Sequence, residues 1–527
     1  MPTKADNTLK NKKNTASISL VAATILLSST FIATAQSDAP EIAWPKAMQE
    51  RGDLIPKDQK RVKSITKPTT DFSKPERFET MSGGAATSKK LPNQDAFSQS
   101  SANISFEEEE TFKLGNALFR KMWVSSPSST DASDGLGPLF NARSCQSCHL
   151  KDGRGHPPEK STDATSMFLR LARGPATDDE RAAIENFLAP NMPDPVYGGQ
   201  LQDKAIPGLR AEGKMVISYE DQPFTFPDGS NVTLRKPSYS AEDLNYGPMA
   251  PDTTLSPRVA NPMIGMGLLQ AIHPADIIAN ADPNDEDGDG ISGRVGLARG
   301  TKLDAPVIGR FGWKAQNATI REQGSEAFAG DIGISNPLVP RHAGDCTEAE
   351  VECLEAPNGV QERLGDTEAP DPVMDLVTFY SENLAVPARR DVDNPQVLRG
   401  KEMFYNSGCV ACHTPKFVTS RKTGNDAHAF QLIWPYSDML LHDMGEGLAD
   451  GQVVGVASGT EWRTAPLWGI GLTETVSGHT FFLHDGRARN LEEAILWHGG
   501  EATASRDAYA ALDKKDRDAL IRFLNSL

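Results

Sequence analysis

Apolar and polar positions divide the chain of 527 residues into unlike stretches. Ile18 to Ile32 is apolar and carries no charge. From residue 36 to about 100 the chain is polar, with scattered Pro, Ser, Lys and Gly and little periodicity, which predicts a mobile leader. Periodicity begins in "FEEEETFKLGNALF", where Phe106, Phe112, Leu114 and Leu118/Phe119 share one helical face. In "MVISYEDQPFTFPDGSNVTLRKPSYS" residues alternate on both sides of a PDGS turn, the pattern of a β-hairpin. The Pro- and Gly-rich stretch 174–215 reads as irregular loop. Thr319 and Glu322 form a capping box that starts a helix near Ile320. Asn490 and Glu493 cap another, from Leu491 to about Trp497, which Gly499-Gly500 ends.

One pattern occurs twice. "KLGNALFRKMW" precedes the C-x-x-C-H unit Cys145–His149, and "VLRGKEMFYNSG" precedes a second, Cys409–His413. Each is a short amphipathic helix leading into the same five-residue motif. C-x-x-C-H is the attachment signature of a c-type haem: two thiols add to the vinyl groups, and the adjacent histidine stands under the iron. A zinc ribbon would place its two Cys pairs far closer than the roughly 260 residues that separate these. The expected cofactors are therefore two covalent haems on Cys145, Cys148, Cys409 and Cys412, with His149 and His413 as proximal ligands. The expected fold is mainly α. It comprises a haem domain over 101–392 with β-hairpin and loop insertions, and a smaller cytochrome-c-like domain over 393–527.

Composition adds the compartment. Lys4, Lys10, Lys12 and Lys13 precede the apolar stretch, and Ala33-Thr34-Ala35 follows it, so residues 1–35 read as a cleaved signal peptide. With no other long apolar run, the mature chain is expected to be periplasmic and without a membrane span. The formal charge of −17 becomes −20 once the four Lys and one Asp of the leader are removed, which disfavours nucleic acid and suits a cationic redox partner. The remaining two of the six cysteines, Cys346 and Cys353, are close enough to form a disulfide in an oxidising compartment.

Three further signals bear on chemistry. His498 stands at a helix end, where it serves either as an iron ligand or as a cation on the helix dipole. Asp285, Asp287 and Asp289 alternate before Gly290, a spacing that can converge on Ca²⁺ or remain a solvated acidic loop. His156, seven residues beyond His149 and followed by the stiff Pro157-Pro158, is expected to be a loop histidine near the haem rim. His273, His342, His428, His442 and His479 show no ligand pattern; Met444, two residues after His442, is the fallback axial ligand.

The segments "LFNARSCQSCH", "GRFGWKAQNATIREQGSEAFAGDIGIS", "GCVACHTPKF", "LLHDMGEGLAD", "EWRTAPLWGIGL" and "FLHDGRARNLEEAILWHGGEA" together span about 105 to 527. In them the chain resembles the diheme c-type peroxidase superfamily, and within it the exported di-haem oxidoreductases often labelled thiol oxidoreductases. The resemblance implies that His498, fourteen residues after the His484 of H-D-G, is the distal ligand of the C-terminal haem. Peroxidases usually place Met there; His is the ligand in the rubber-cleaving relatives and removes an influence that raises potential. It also implies that Trp313 lies between the haems and that Gln323 reaches the open face of the N-terminal one. The expected carboxylate position falls on Gly333; Asp331, two residues earlier, is the expected acid/base, with Glu326 its rival. The implied activity is peroxide reduction with electrons from a small cytochrome or cupredoxin. A haem oxygenase and a plain electron-transfer protein are the alternatives. The thiol-oxidoreductase label finds no free C-x-x-C thiols to support it.

Overall fold

The computed structural model describes residues 44–129, 133–158, 165–299 and 306–527, so the signal-peptide reading lies outside the described residues. Fifteen α-helices of four to fifteen residues alternate with short 3₁₀ turns and seven two-stranded sheets among the described residues. None of these helices is long and apolar enough to cross a membrane.

The sequence repeat reappears as a repeated construction. Helix Phe106–Arg120 starts at Ser105, whose side chain and that of Glu108 form a reciprocal capping box. It packs on helix Asp371–Glu382, and the axes approach at Gly115, where a Cβ would come within 2.2 Å of the Leu376 carbonyl oxygen. Helix Pro395–Asn406 packs on helix Lys514–Ser526 in the same way, and a Cβ at Gly400 would lie 1.9 Å from the Ala519 carbonyl oxygen. Four residues after each glycine an aromatic ring turns inward: Phe119 lies 6.2 Å from the ring of His149, and Phe404 lies 6.2 Å from that of His413. Glycine at the crossing thus lets each helix pair close tightly enough to set its C-x-x-C-H turn.

The hairpin pairs Lys214–Thr225 with Asn231–Glu242 in register throughout, around a turn in which Gly229 has φ +83°. Its side chains tie it to the C-terminal part of the chain. Tyr239 donates to Asp485 at 2.8 Å, and Arg235 donates to the carbonyls of Gly486 and Arg487. A second antiparallel pair, Met167–Ala172 with Thr254–Val259, flanks this insertion and was not anticipated.

Residues 44–100 differ from the mobile leader expected of them. Helix Pro56–Thr66 buries Val62, which joins Leu54 and Val418 in a small apolar cluster, while Phe97 enters a main core cluster. Arg51 pairs with Asp276 at 2.6 Å; Glu79 pairs with Arg389 and, at 2.8 Å, with Lys401. Single apolar anchors and buried ion pairs hold this segment, and neither leaves a periodic trace.

Candidate functional site

A cavity of about 420 Å³ is walled by both C-x-x-C-H units and by the segments around Trp313, Asp331, Trp462 and His498. At the first unit, Cys145–Cys148 make one helical turn, and the backbone N–H of His149 donates to the Cys145 carbonyl at 3.0 Å. Its ring Nδ1 is 2.7 Å from the Asn261 carbonyl oxygen. At the second, His413 repeats this geometry: N–H to Cys409 at 2.9 Å, and Nδ1 2.8 Å from the Tyr436 carbonyl oxygen. His498 ends helix Leu491–Leu496 and sets its Nδ1 2.7 Å from the Ala494 carbonyl oxygen.

In all three imidazoles a backbone carbonyl fixes Nδ1 as the donor, which leaves the Nε2 lone pair as the donor atom for a metal. Burial keeps all three neutral. It pushes His413 down to about 4, with the neighbouring His498 adding to the effect, and both residues line the cavity. Burial likewise lowers His149 and His498. None of the four C-x-x-C cysteines is disulfide-bonded, and burial pushes the Cys145 and Cys409 thiols up to about 12. Two thiols and one oriented imidazole at each end of one apolar cavity fit a haem at each end.

His442 lies on the wall but is not free to ligate. Its Nε2 is 2.8 Å from Asp438, and its Nδ1 is 2.7 Å from Glu501. Burial alone would lower its pKa, yet Asp438 and Glu501 hold it protonated, well above the ordinary imidazole range. Met444 does line the cavity. His156 is not on the cavity wall; its ring packs on His479 and Phe481, with Nδ1 2.7 Å from the Pro157 carbonyl oxygen.

Helix Ile320–Asp331 begins at the capping box of Thr319 and Glu322 and lays Gln323 and Asp331 on the wall. Burial raises the pKa of Asp331, while Arg170, 3.6 Å away, and Gln200, donating at 3.1 Å, offset part of the effect. Glu326 accepts from Asn317 at 2.7 Å and is not on the wall, so of the two rivals Asp331 is the one the cavity meets. Trp313 donates its indole N–H to the Val259 carbonyl at 2.9 Å and meets the ring of His484 edge-on at 6.5 Å. His484 in turn stacks on Trp462. Sequence reasoning missed this His484–Trp462 pair. The H-D-G turn marks the histidine, but nothing in the chain links it to a tryptophan 22 residues earlier.

Two expected groups lie elsewhere. Cys346 and Cys353 are joined as a disulfide. In the acidic loop the carboxylates that converge are those of Asp282, Asp285 and Asp287, whereas Asp289 turns away to accept from the Ile291 N–H at 2.9 Å. Asp282 therefore stands where Asp289 was expected.

The repeated helix crossings bring the paired C-x-x-C-H turns to one shared cavity, an arrangement with room for a redox cofactor at each end. The family model described as "Di-haem oxidoreductase, putative peroxidase" matches residues 78–527, and the chain belongs to that family. No curated protein matches the chain.

Proposed function

We propose that the protein is an exported, peroxidase-type diheme enzyme: a peroxide is reduced at the His149 end of the cavity with electrons received at the His413–His498 end. When bound, the two haems that the family implies supply the redox chemistry. Cys145 with Cys148, and Cys409 with Cys412, hold them by thioether bonds; His149 and the His413–His498 pair offer Nε2 to iron. The observation that carries the reading is Asp331, a half-buried carboxylic group on the cavity wall with a raised pKa.

Reducing H₂O₂ to two waters takes two protons and two electrons. Asp331 can accept the proton of an entering peroxide and return it to the departing oxygen, the task of a general acid/base. Arg170 beside it places positive charge where negative charge develops. Gln323 lines the same region, fixed by the Asn317 amide that donates to its Oε1 at 3.2 Å. Trp313 supplies an aromatic bridge along the wall between the two ends. An acid/base on the wall favours peroxide over dioxygen as the substrate, because an oxygenase site needs no such group. The strongly acidic chain suits a small basic cytochrome or cupredoxin as electron donor in the periplasm.

The test is anaerobic stopped-flow mixing of the reduced, exported protein with H₂O₂. Two electrons lost per peroxide, together with an open high-spin centre by EPR, is the expected result. Inertness to peroxide with consumption of O₂ would replace this reading by the oxygenase one.

A further inference from the structure

Three guanidinium groups on the cavity wall have no ion-pair partner among the described residues: those of Arg310 and Arg463, which are buried, and that of Arg154, which is half-buried; Asp485, near Arg154, and Asp438, near Arg463, are engaged by Arg487 and His442. Arg310 is 7% exposed, and among the described residues its side chain hydrogen-bonds to the Leu269 carbonyl alone, at 3.1 Å. Arg463 donates to the carbonyls of Gly312 at 3.1 Å and Thr464 at 3.0 Å. Arg154 donates to the carbonyls of Phe481, at 2.9 Å, and Leu483. Among the described residues no carboxylate lies within ion-pair distance of any of the three. The other arginines of this wall are matched: Arg258 lies 3.7 Å from Asp450 and Arg506 2.8 Å from Asp507. The wall's own carboxylate, Asp331, faces Arg170.

A guanidinium has five N–H donors and keeps its charge at neutral pH, and a buried charge without a partner is costly. Backbone carbonyls satisfy one or two donors of each group here and cancel none of the charge. The cavity is therefore built to receive an anion, one that presents planar, two-oxygen groups matching the guanidinium fork.

We infer that Arg154, Arg310 and Arg463 are the counter-ions of haem propionates. The inference rests on the two-haem reading above. Each haem carries two propionates, so two haems bring four carboxylates to three unmatched cations. The positions agree with both ends being served. Arg154 follows His149 by five residues. Arg463 lies near Asp438, whose N–H donates to the Cys412 carbonyl at 2.9 Å. Pairing a propionate with a buried cation also favours the reduced iron, so these residues tune the potential of the centres they hold.

The test compares Arg154→Gln, Arg310→Gln and Arg463→Gln in the full mature protein, with haem content by pyridine haemochrome and midpoint potentials by optical titration. The expected result is two haems per chain, at least one midpoint potential lower than in wild type, and Arg→Lys variants closer to wild type than Arg→Gln. Unchanged potentials in all three Gln variants at full haem content would overturn the assignment. Should a Gln variant fail to mature, its Lys counterpart decides. Maturation with near wild-type potentials supports a charge pairing, and failure of the Lys variant as well assigns the residue to folding. A separate arm titrates dialysed wild-type protein with succinate. A saturable shift of the haem spectrum would show that the cations serve a free carboxylate ligand instead. A wild-type chain that carries no haem would remove the two-haem reading itself, an outcome distinct from all of these.

Discussion

The ring of His484 lies flat on the indole of Trp462, with centroids 3.8 Å apart and planes 11° from parallel. The Trp313 ring lies 6.5 Å from that of His484 at a steep angle, so three neighbouring aromatic rings line the cavity wall. Their electrostatic settings differ. The Lys314 ammonium is 4.5 Å from the Trp462 ring and Arg258 is 5.9 Å away, both of which oppose removal of an electron from that indole. Trp313 has one cation near it, Arg154 at 5.3 Å, whose charge a bound propionate would offset. Electron flow is therefore expected to favour Trp313. Trp313→Phe should slow electron transfer between the two centres by about tenfold or more, some 1.4 kcal/mol of barrier, with Trp462→Phe changing it far less. Rapid-mixing spectroscopy that follows each centre separately checks this, and equal slowing by the two variants would contradict it.

Asp331→Asn should lower peroxide turnover by roughly 100- to 10,000-fold, the usual contribution of a positioned acid/base, at unchanged haem content. The pH profile gives the sign. Because burial raises the pKa of Asp331, its carboxyl stays protonated, and unable to accept a proton, to a higher pH than an ordinary aspartate. The acid limb of kcat/KM should thus lie above the usual carboxylate range and vanish in Asp331→Asn. Glu326→Gln, altering a carboxylate already bonded to Asn317, should keep the limb.

Local signals survive in the sequence, and tertiary ones do not. The helix beginning at Ile320, the hairpin around Gly229 and the two C-x-x-C-H turns were legible because each depends on residues within a few positions of one another. The matching roles of Gly115 and Gly400 were half legible: the repeat was visible, but not the carbonyls of Leu376 and Ala519 that require a glycine. The three unmatched arginines were invisible, since an arginine reads as unpaired only when every carboxylate around it has been placed. In the acidic loop Asp282 converges with Asp285 and Asp287 in place of Asp289, whose carboxylate accepts from a local backbone N–H, a competition that spacing alone does not reveal.

His498→Ala should convert the C-terminal centre from a low-spin to a high-spin spectrum, and His498→Met should raise its midpoint potential. His442→Ala should leave the spectrum low-spin, because both nitrogens of His442 are already held by Asp438 and Glu501. Electronic absorption and EPR of the oxidised proteins separate the cases. A low-spin signal that persists in His498→Ala would point to Met444, which also lines the cavity, as the ligand.

The segment before residue 100 offers a stability test of its own. Glu79 is 2% exposed and receives both Arg389 and Lys401, two cations almost as deeply buried, from parts of the chain more than 300 residues away. Glu79→Ala removes the shared anion and leaves Lys401 with Glu76 and Arg389 with hydroxyl partners, a loss of about 3–5 kcal/mol by analogy with other broken buried pairs. Burial alone would raise the pKa of Glu79, but Arg389 and Lys401 outweigh it and hold the group below the ordinary glutamate range. A depressed folded-state pKa means that the stabilisation is fully present above the ordinary value and fades as pH falls through the folded one. Urea denaturation of wild type should therefore show a stability loss on acidification that Glu79→Gln reduces. Should Glu79→Ala unfold at the wild-type urea concentration, the segment would behave as the mobile leader that its composition first implied.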